Sequence, residues 1–143
     1  GCAECIATCN YGALRILWNE KPSIVAEKMA ETALAILKDK KNKLLYFNFL
    51  LDITPDCDCM PYSDNLLTQN IGILASKDPV AIDQASCDLF NKEPGLKNSR
   101  LNNAINPGED KIRAVYPEID WENGLKYAEE IGLGFRSYQL KEI

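Results

Sequence analysis

The chain of 143 residues contains no histidine. That removes histidine-based catalytic triads, histidine general bases and every zinc site that needs imidazole. No apolar run approaches the length of a membrane span. The longest, "LLYFNFLLDI", is interrupted by Asn48 and has the length of a buried strand. Positive charge is also short: 16 Lys and Arg stand against 21 Asp and Glu, for a net charge of −5. Sequence-independent nucleic-acid binding needs clustered basic residues. The one dense basic stretch, "KDKKNK" at 38–43, reads as a solvated helix end. The sequence therefore points to no nucleic-acid partner and no membrane.

Six cysteines are too few for a disulfide-dense miniprotein of this size, and they are grouped. Cys2, Cys5 and Cys9 cluster at the start, Cys57 and Cys59 form a C-x-C, and Cys87 stands alone. Such grouping suits metal or redox chemistry in a reducing cytoplasm. A hydrophobic content of 46% with 26% charged residues fits a globular domain.

The opening "GCAECIATCN" has the spacing C-x2-C-x3-C. Thiolates are soft anionic donors, and short spacings let one loop wrap three corners of a cubane. Bacterial ferredoxin runs read C-x2-C-x2-C-x3-C-P. Here Asn10 takes the proline's place, and the remaining cysteine of such a run would lie two positions upstream of Gly1. The expectation is a fragment of a longer protein with an incomplete 4Fe-4S cluster site on Cys2, Cys5 and Cys9. The missing N-terminal part of the same protein is then its partner. Zinc on thiolates is the alternative cofactor, and three metal-free thiols are the structural alternative.

Along the chain, "ALRILW" (13–18) reads as a short strand. Residues 23–38 read as a helix with Val25, Met29, Ala33 and Ile36 on one face and Ala26, Ala30 and Leu37 beside them. "KLLYFNFLLDIT" (43–54) and "IGILAS" (71–76) read as strands, the former covered on both sides. Asp78 and Pro79 are the N-cap and first position of a helix to about residue 90. A short helix ends before Pro117, another runs from Trp121 toward Gly132 or Gly134, and "FRSYQLKEI" reads as a final strand. The predicted fold is α/β, with a mixed or mostly parallel sheet flanked by helices and a truncated ferredoxin-like cysteine loop. Residues 1–20 are the partial cluster segment, and residues 21–143 are the C-terminal part of the α/β domain.

A second candidate follows the first strand. In "PDCDC", Asp56, Cys57, Asp58 and Cys59 crowd two carboxylates and two thiols into four residues. In an extended segment Cys57 and Cys59 point one way and Asp56 and Asp58 the other. The site reads as a metal, cluster or redox-thiol site, or else as a turn-rich loop. With parallel strands, Cys57 and Cys59 are expected at the same end of the sheet as Asp78, close to Asp83 or to the start of the 79–90 helix. Asp83 shares a helical face with Cys87 and Phe90, so it points toward the protein, whether as a site residue or a loop cap. Cys87 reads as a core thiol, and Trp18 and Trp121 as packing residues.

"NFLLDITPDCDCMPYSD", "NIGILASKDPVAIDQASCDLF" and "YAEEIGLG" together resemble the uncharacterised iron–sulfur centre proteins grouped as domain of unknown function 362. The resemblance implies a ferredoxin-type insertion in a larger α/β domain and cluster positions at Cys2, Cys5 and Cys9. It attaches no role to the "PDCDC" residues and no reaction. The leading expectation is a redox or electron-transfer module whose redox partner is not identified. An enzyme pocket including the Asp-Cys-Asp-Cys loop and a structural zinc module are the competing readings.

Overall fold

The computed structural model describes residues 4–15, 20–40, 43–57 and 61–143. The elements in chain order are α1 (Glu4–Ala7), α2 (Pro22–Leu37) with a 3-10 turn at Lys38–Lys40, β1 (Tyr46–Leu50), β2 (Gly72–Ser76), α3 (Pro79–Lys92), α4 (Lys111–Val115) and α5 (Trp121–Glu130). The fold is mixed α/β, with helices around a small sheet.

α3 forms where its signals sit. Asp78 Oδ1 accepts the N–H groups of Val80 (2.9 Å) and Ala81 (3.0 Å), and Pro79 occupies a first-turn position without a donor to lose. Asp110 and Asp120 cap α4 and α5 in the same way. α5 ends on Gly132, whose φ of +79° lets its N–H return to the Glu129 carbonyl.

β1 and β2 pair antiparallel, Tyr46 opposite Ser76 and Leu50 opposite Gly72. This corrects the expected mixed or mostly parallel sheet. A parallel pair needs a crossover of a dozen or more residues, usually helical. The link between these strands folds back on itself instead. Asp52 turns the chain at φ +49°, and its N–H donates to Asn70 Oδ1 at 2.7 Å. The Ile71 N–H reaches the Leu50 carbonyl at 2.9 Å, and Leu67 N–H reaches Ile53 at 2.8 Å. Residues 55–57 thus lie in an excursion closed at the sheet's Leu50–Gly72 end.

The strand expected to be covered on both sides is covered on one. Tyr46, Asn48 and Leu50 are half-buried on the α3 side. Leu45, Phe47, Phe49 and, across the register, Ile73 are exposed, each more than half. A run this apolar on both faces suits a strand between two layers, and among the described residues a single layer is present.

The helix α2 is likewise turned from the expected direction. Val25, Met29 and Ile36 are exposed, and Ala30 is buried. Its small residues face α5, where a Cβ on Gly124 would stand 3.2 Å from the Ala26 Cβ. Close approach of the two backbones selects the alanine stripe over the bulkier one.

The core has two parts flanking α3. Ala30, Val80 and Ala128 form one, with Leu125 and Leu133 against them. Leu67, Phe90 and Leu101 form the other, with Ile53, Ile71 and Ile112. Beside the second, Lys111 is wholly buried, and its ammonium donates to the carbonyls of Asn91 (2.7 Å) and Asn106 (3.1 Å). Residues 13–15 and 135–143 form no strand. The remainder of the 13–18 expectation lies outside the described residues.

Candidate metal centre

Cys5 lies on the single turn α1 and is exposed. Thr8 closes that turn, its N–H and hydroxyl both donating to the Glu4 carbonyl, at 2.9 and 2.7 Å. The chain then bends through Gly12 at φ +59°, whose N–H donates to the Cys9 carbonyl at 3.1 Å. This bend turns a run of backbone amides toward the Cys9 sulfur. Ala13 N–H donates to Cys9 Sγ at 3.3 Å. The hydrogen bond from Ala13, followed by those from Tyr11 and Leu14, lowers the thiol below its ordinary value. Donors aimed at sulfur favour the thiolate, which is the form that binds metal. Cys2 lies outside the described residues.

The "PDCDC" loop is anchored through Asp56. Arg100 Nη1 pairs with Asp56 Oδ2 at 3.2 Å, and the Tyr116 hydroxyl donates to Asp56 Oδ1. The same hydroxyl lies 3.1 Å from the Pro55 carbonyl oxygen, and Arg100 sits 5.9 Å above the Tyr116 ring. Both carboxylate oxygens are therefore engaged by protein donors. The hydrogen bond to Asp56 pushes the Tyr116 phenol above its ordinary value. Cys57 is exposed beside this anchor. Asp58 and Cys59 lie outside the described residues. Arg100 and Tyr116 were missed from sequence because nothing local marks a partner so far along the chain.

The expected placement of Cys57 and Cys59 at the end of the sheet where α3 starts rests on parallel strands and does not hold for Cys57, while Cys59 lies outside the described residues. The antiparallel register puts Asp78 beyond Ser76, beside Tyr46, and residues 55–57 beyond the opposite end of the sheet. No helix N-terminus of α3 therefore reaches Cys57.

Asp83 is exposed, with one carboxylate oxygen turned back to β1. Asn48 Nδ2 donates to Asp83 Oδ1 at 2.8 Å and to Ser86 Oγ at 2.9 Å. Cys87 follows one turn later. Burial first, then the carboxylates of Asp83, Asp88 and Asp110, push its thiol up to about 12. Cys87 is half-buried, and its thiol stays protonated at neutral pH. Among the described residues no group of three His, Cys, Asp or Glu side chains is gathered as a metal site. Cys5 and Cys9 are the described thiols of the N-terminal set, and among the described residues no helix is long and apolar enough to cross a membrane.

The chain belongs to the family described as domain of unknown function 362, which matches residues 6–88, more than half of its length. The match takes in Cys9, the "PDCDC" loop, both strands and most of α3. No curated protein and no solved structure matches the chain.

Proposed function

We propose that this member of the family is an iron–sulfur module for electron transfer, with Cys2, Cys5 and Cys9 as thiolate ligands. The single observation that carries the reading is Cys9, whose sulfur accepts the Ala13 N–H at 3.3 Å within a turn of amides. Amide donors on a ligand sulfur stabilise its negative charge and raise a cluster's reduction potential. The donor set fits the group: soft thiolates on short spacing, at an exposed turn that a neighbouring protein can approach. When bound, the cluster supplies one-electron chemistry. The chain's own residues hold it and set its electrostatic surroundings. Three thiolates leave one corner of a cubane to a ligand beyond this set.

Anaerobic reconstitution with iron, sulfide and an external dithiol tests this. The expected product is a brown protein carrying iron and sulfide, with both contents falling sharply in Cys5→Ser and Cys9→Ser variants. A colourless protein with stoichiometric zinc, or iron uptake unchanged by either substitution, overturns the reading.

A further inference from the structure

A cleft of about 470 Å³ opens between α2, α3 and α5. Small-molecule sites span roughly 300–1,000 Å³ and combine apolar walls with a few convergent polar groups. Met29, Ala30, Val80, Leu125 and Leu133 form the walls here, together with Trp121. The indole is held in place, its Nε1–H donating to Asp110 Oδ2 at 3.1 Å.

The polar groups come from one face of α3. Asp83, Ser86 and Cys87 stand at i, i+3 and i+4 and all line the cleft. Asn48 holds Asp83 Oδ1 and Ser86 Oγ from the strand side. Among the described residues, Asp83 Oδ2 makes no hydrogen bond or ion pair, and the side chain is exposed. The other carboxylate of the lining, Asp120, is already engaged by Arg113 at 2.8 Å and by the Asn123 N–H at 3.3 Å. No lysine or arginine is among the described residues of the lining. The cleft therefore carries two carboxylates, of which Asp83 is the one not paired with a cation.

We propose that this cleft binds a small organic cation, with an apolar or aromatic body between α2 and α5 and an ammonium group on Asp83 Oδ2. Charge complementarity selects the sign, since an anion would meet two carboxylates in the lining, and Arg113 beside Asp120 is already shared among Asp110, Asp120 and Glu122. The aromatic wall adds to the preference, because an indole attracts cations. Cys87 contributes a neutral S–H to the wall, so binding is non-covalent. The site is separate from the N-terminal cysteines and does not rest on their cluster.

The test uses three probes with one phenyl body: 2-phenylethylamine, 2-phenylethanol and 3-phenylpropionate. Each is titrated into isotope-labelled chain, reading the Trp121 indole N–H and the methyl groups of Ala30 and Leu125. The amine is expected to shift these signals saturably and to bind at least about ten-fold tighter than the alcohol. In Asp83→Asn, which keeps the acceptor for Asn48, that preference disappears while the melting temperature holds. Equal binding of the three probes, absence of saturable amine binding, or an amine preference surviving in Asp83→Asn each overturns the proposal.

Discussion

The Tyr116 hydroxyl donates to Asp56 Oδ1, joining the residue that precedes Pro117 to the first carboxylate of the "PDCDC" loop. Arg100 takes the other oxygen of the same carboxylate at 3.2 Å. Hydrogen bonds to charged groups contribute about 1.5–3 kcal/mol when shielded from water, and partial exposure here reduces that. Tyr116→Phe is expected to cost about 1 kcal/mol, with much of the cost absent in an Asp56→Ala background. A double-mutant cycle by denaturant unfolding measures the coupling. Additive costs would show that the loop is held by other contacts.

Asp78 joins the start of α3 to the segment after α5. Its Oδ1 caps the helix and its Oδ2 accepts the Phe135 N–H at 3.0 Å. A Cβ on Gly134 would lie 2.2 Å from Asp78 Oδ1. Gly134→Ala must therefore displace the cap, and a lost cap costs about 0.5–2 kcal/mol. Thermal unfolding should show Gly134→Ala and Asp78→Ala each destabilising the chain. Their combination should cost less than the sum, because both remove one interaction. Full additivity would contradict the shared mechanism.

Alkaline pH should destabilise this protein. Burial and nearby carboxylates push the Cys87 thiol up to about 12. Burial and the bond to Asp88 do the same for the Tyr138 phenol, also to about 12. The folded chain keeps these protons where the unfolded chain has lost them, so the unfolded state binds fewer protons and stability falls as pH rises. The contribution is intact below about pH 9 for Cys87 and about pH 10 for Tyr138, and is lost toward pH 12. Denaturant unfolding at stepped pH should show this decline, and Cys87→Ala should flatten its earlier part. A Cys87→Ala slope identical to that of the parent would assign the decline elsewhere.

The open face of the sheet makes a fourth expectation. Phe49 is 63% exposed, whereas Leu101 is 1% exposed. Phe49→Thr keeps a β-favouring residue and should change stability by less than about 0.5 kcal/mol, as at an ordinary surface position. Leu101→Ala should cost about 2–5 kcal/mol through the cavity it leaves. Comparable costs at both positions would mean that the Phe47–Phe49 face is covered in solution.

Local physics made the elements legible. Asp78 and Pro79 start α3, Gly132 ends α5, and the apolar runs mark both strands, because caps, fixed φ and left-handed glycines act within a few residues. The grouping of Cys2, Cys5 and Cys9 was likewise visible as spacing alone. The amide turn around Cys9, built on Gly12, was not.

Tertiary structure decided the rest. An apolar strand does not encode its partner's direction; the return of the chain through Asp52 and Asn70 does. A helix with two apolar stripes does not encode which one turns inward; the close approach of Gly124 to Ala26 does. Arg100 and Tyr116 on Asp56, Asn48 on Asp83, and the carbonyls around Lys111 are pairings between distant or oppositely placed segments. Their strength depends on distance and on exclusion of water, and both exist only once the chain has packed.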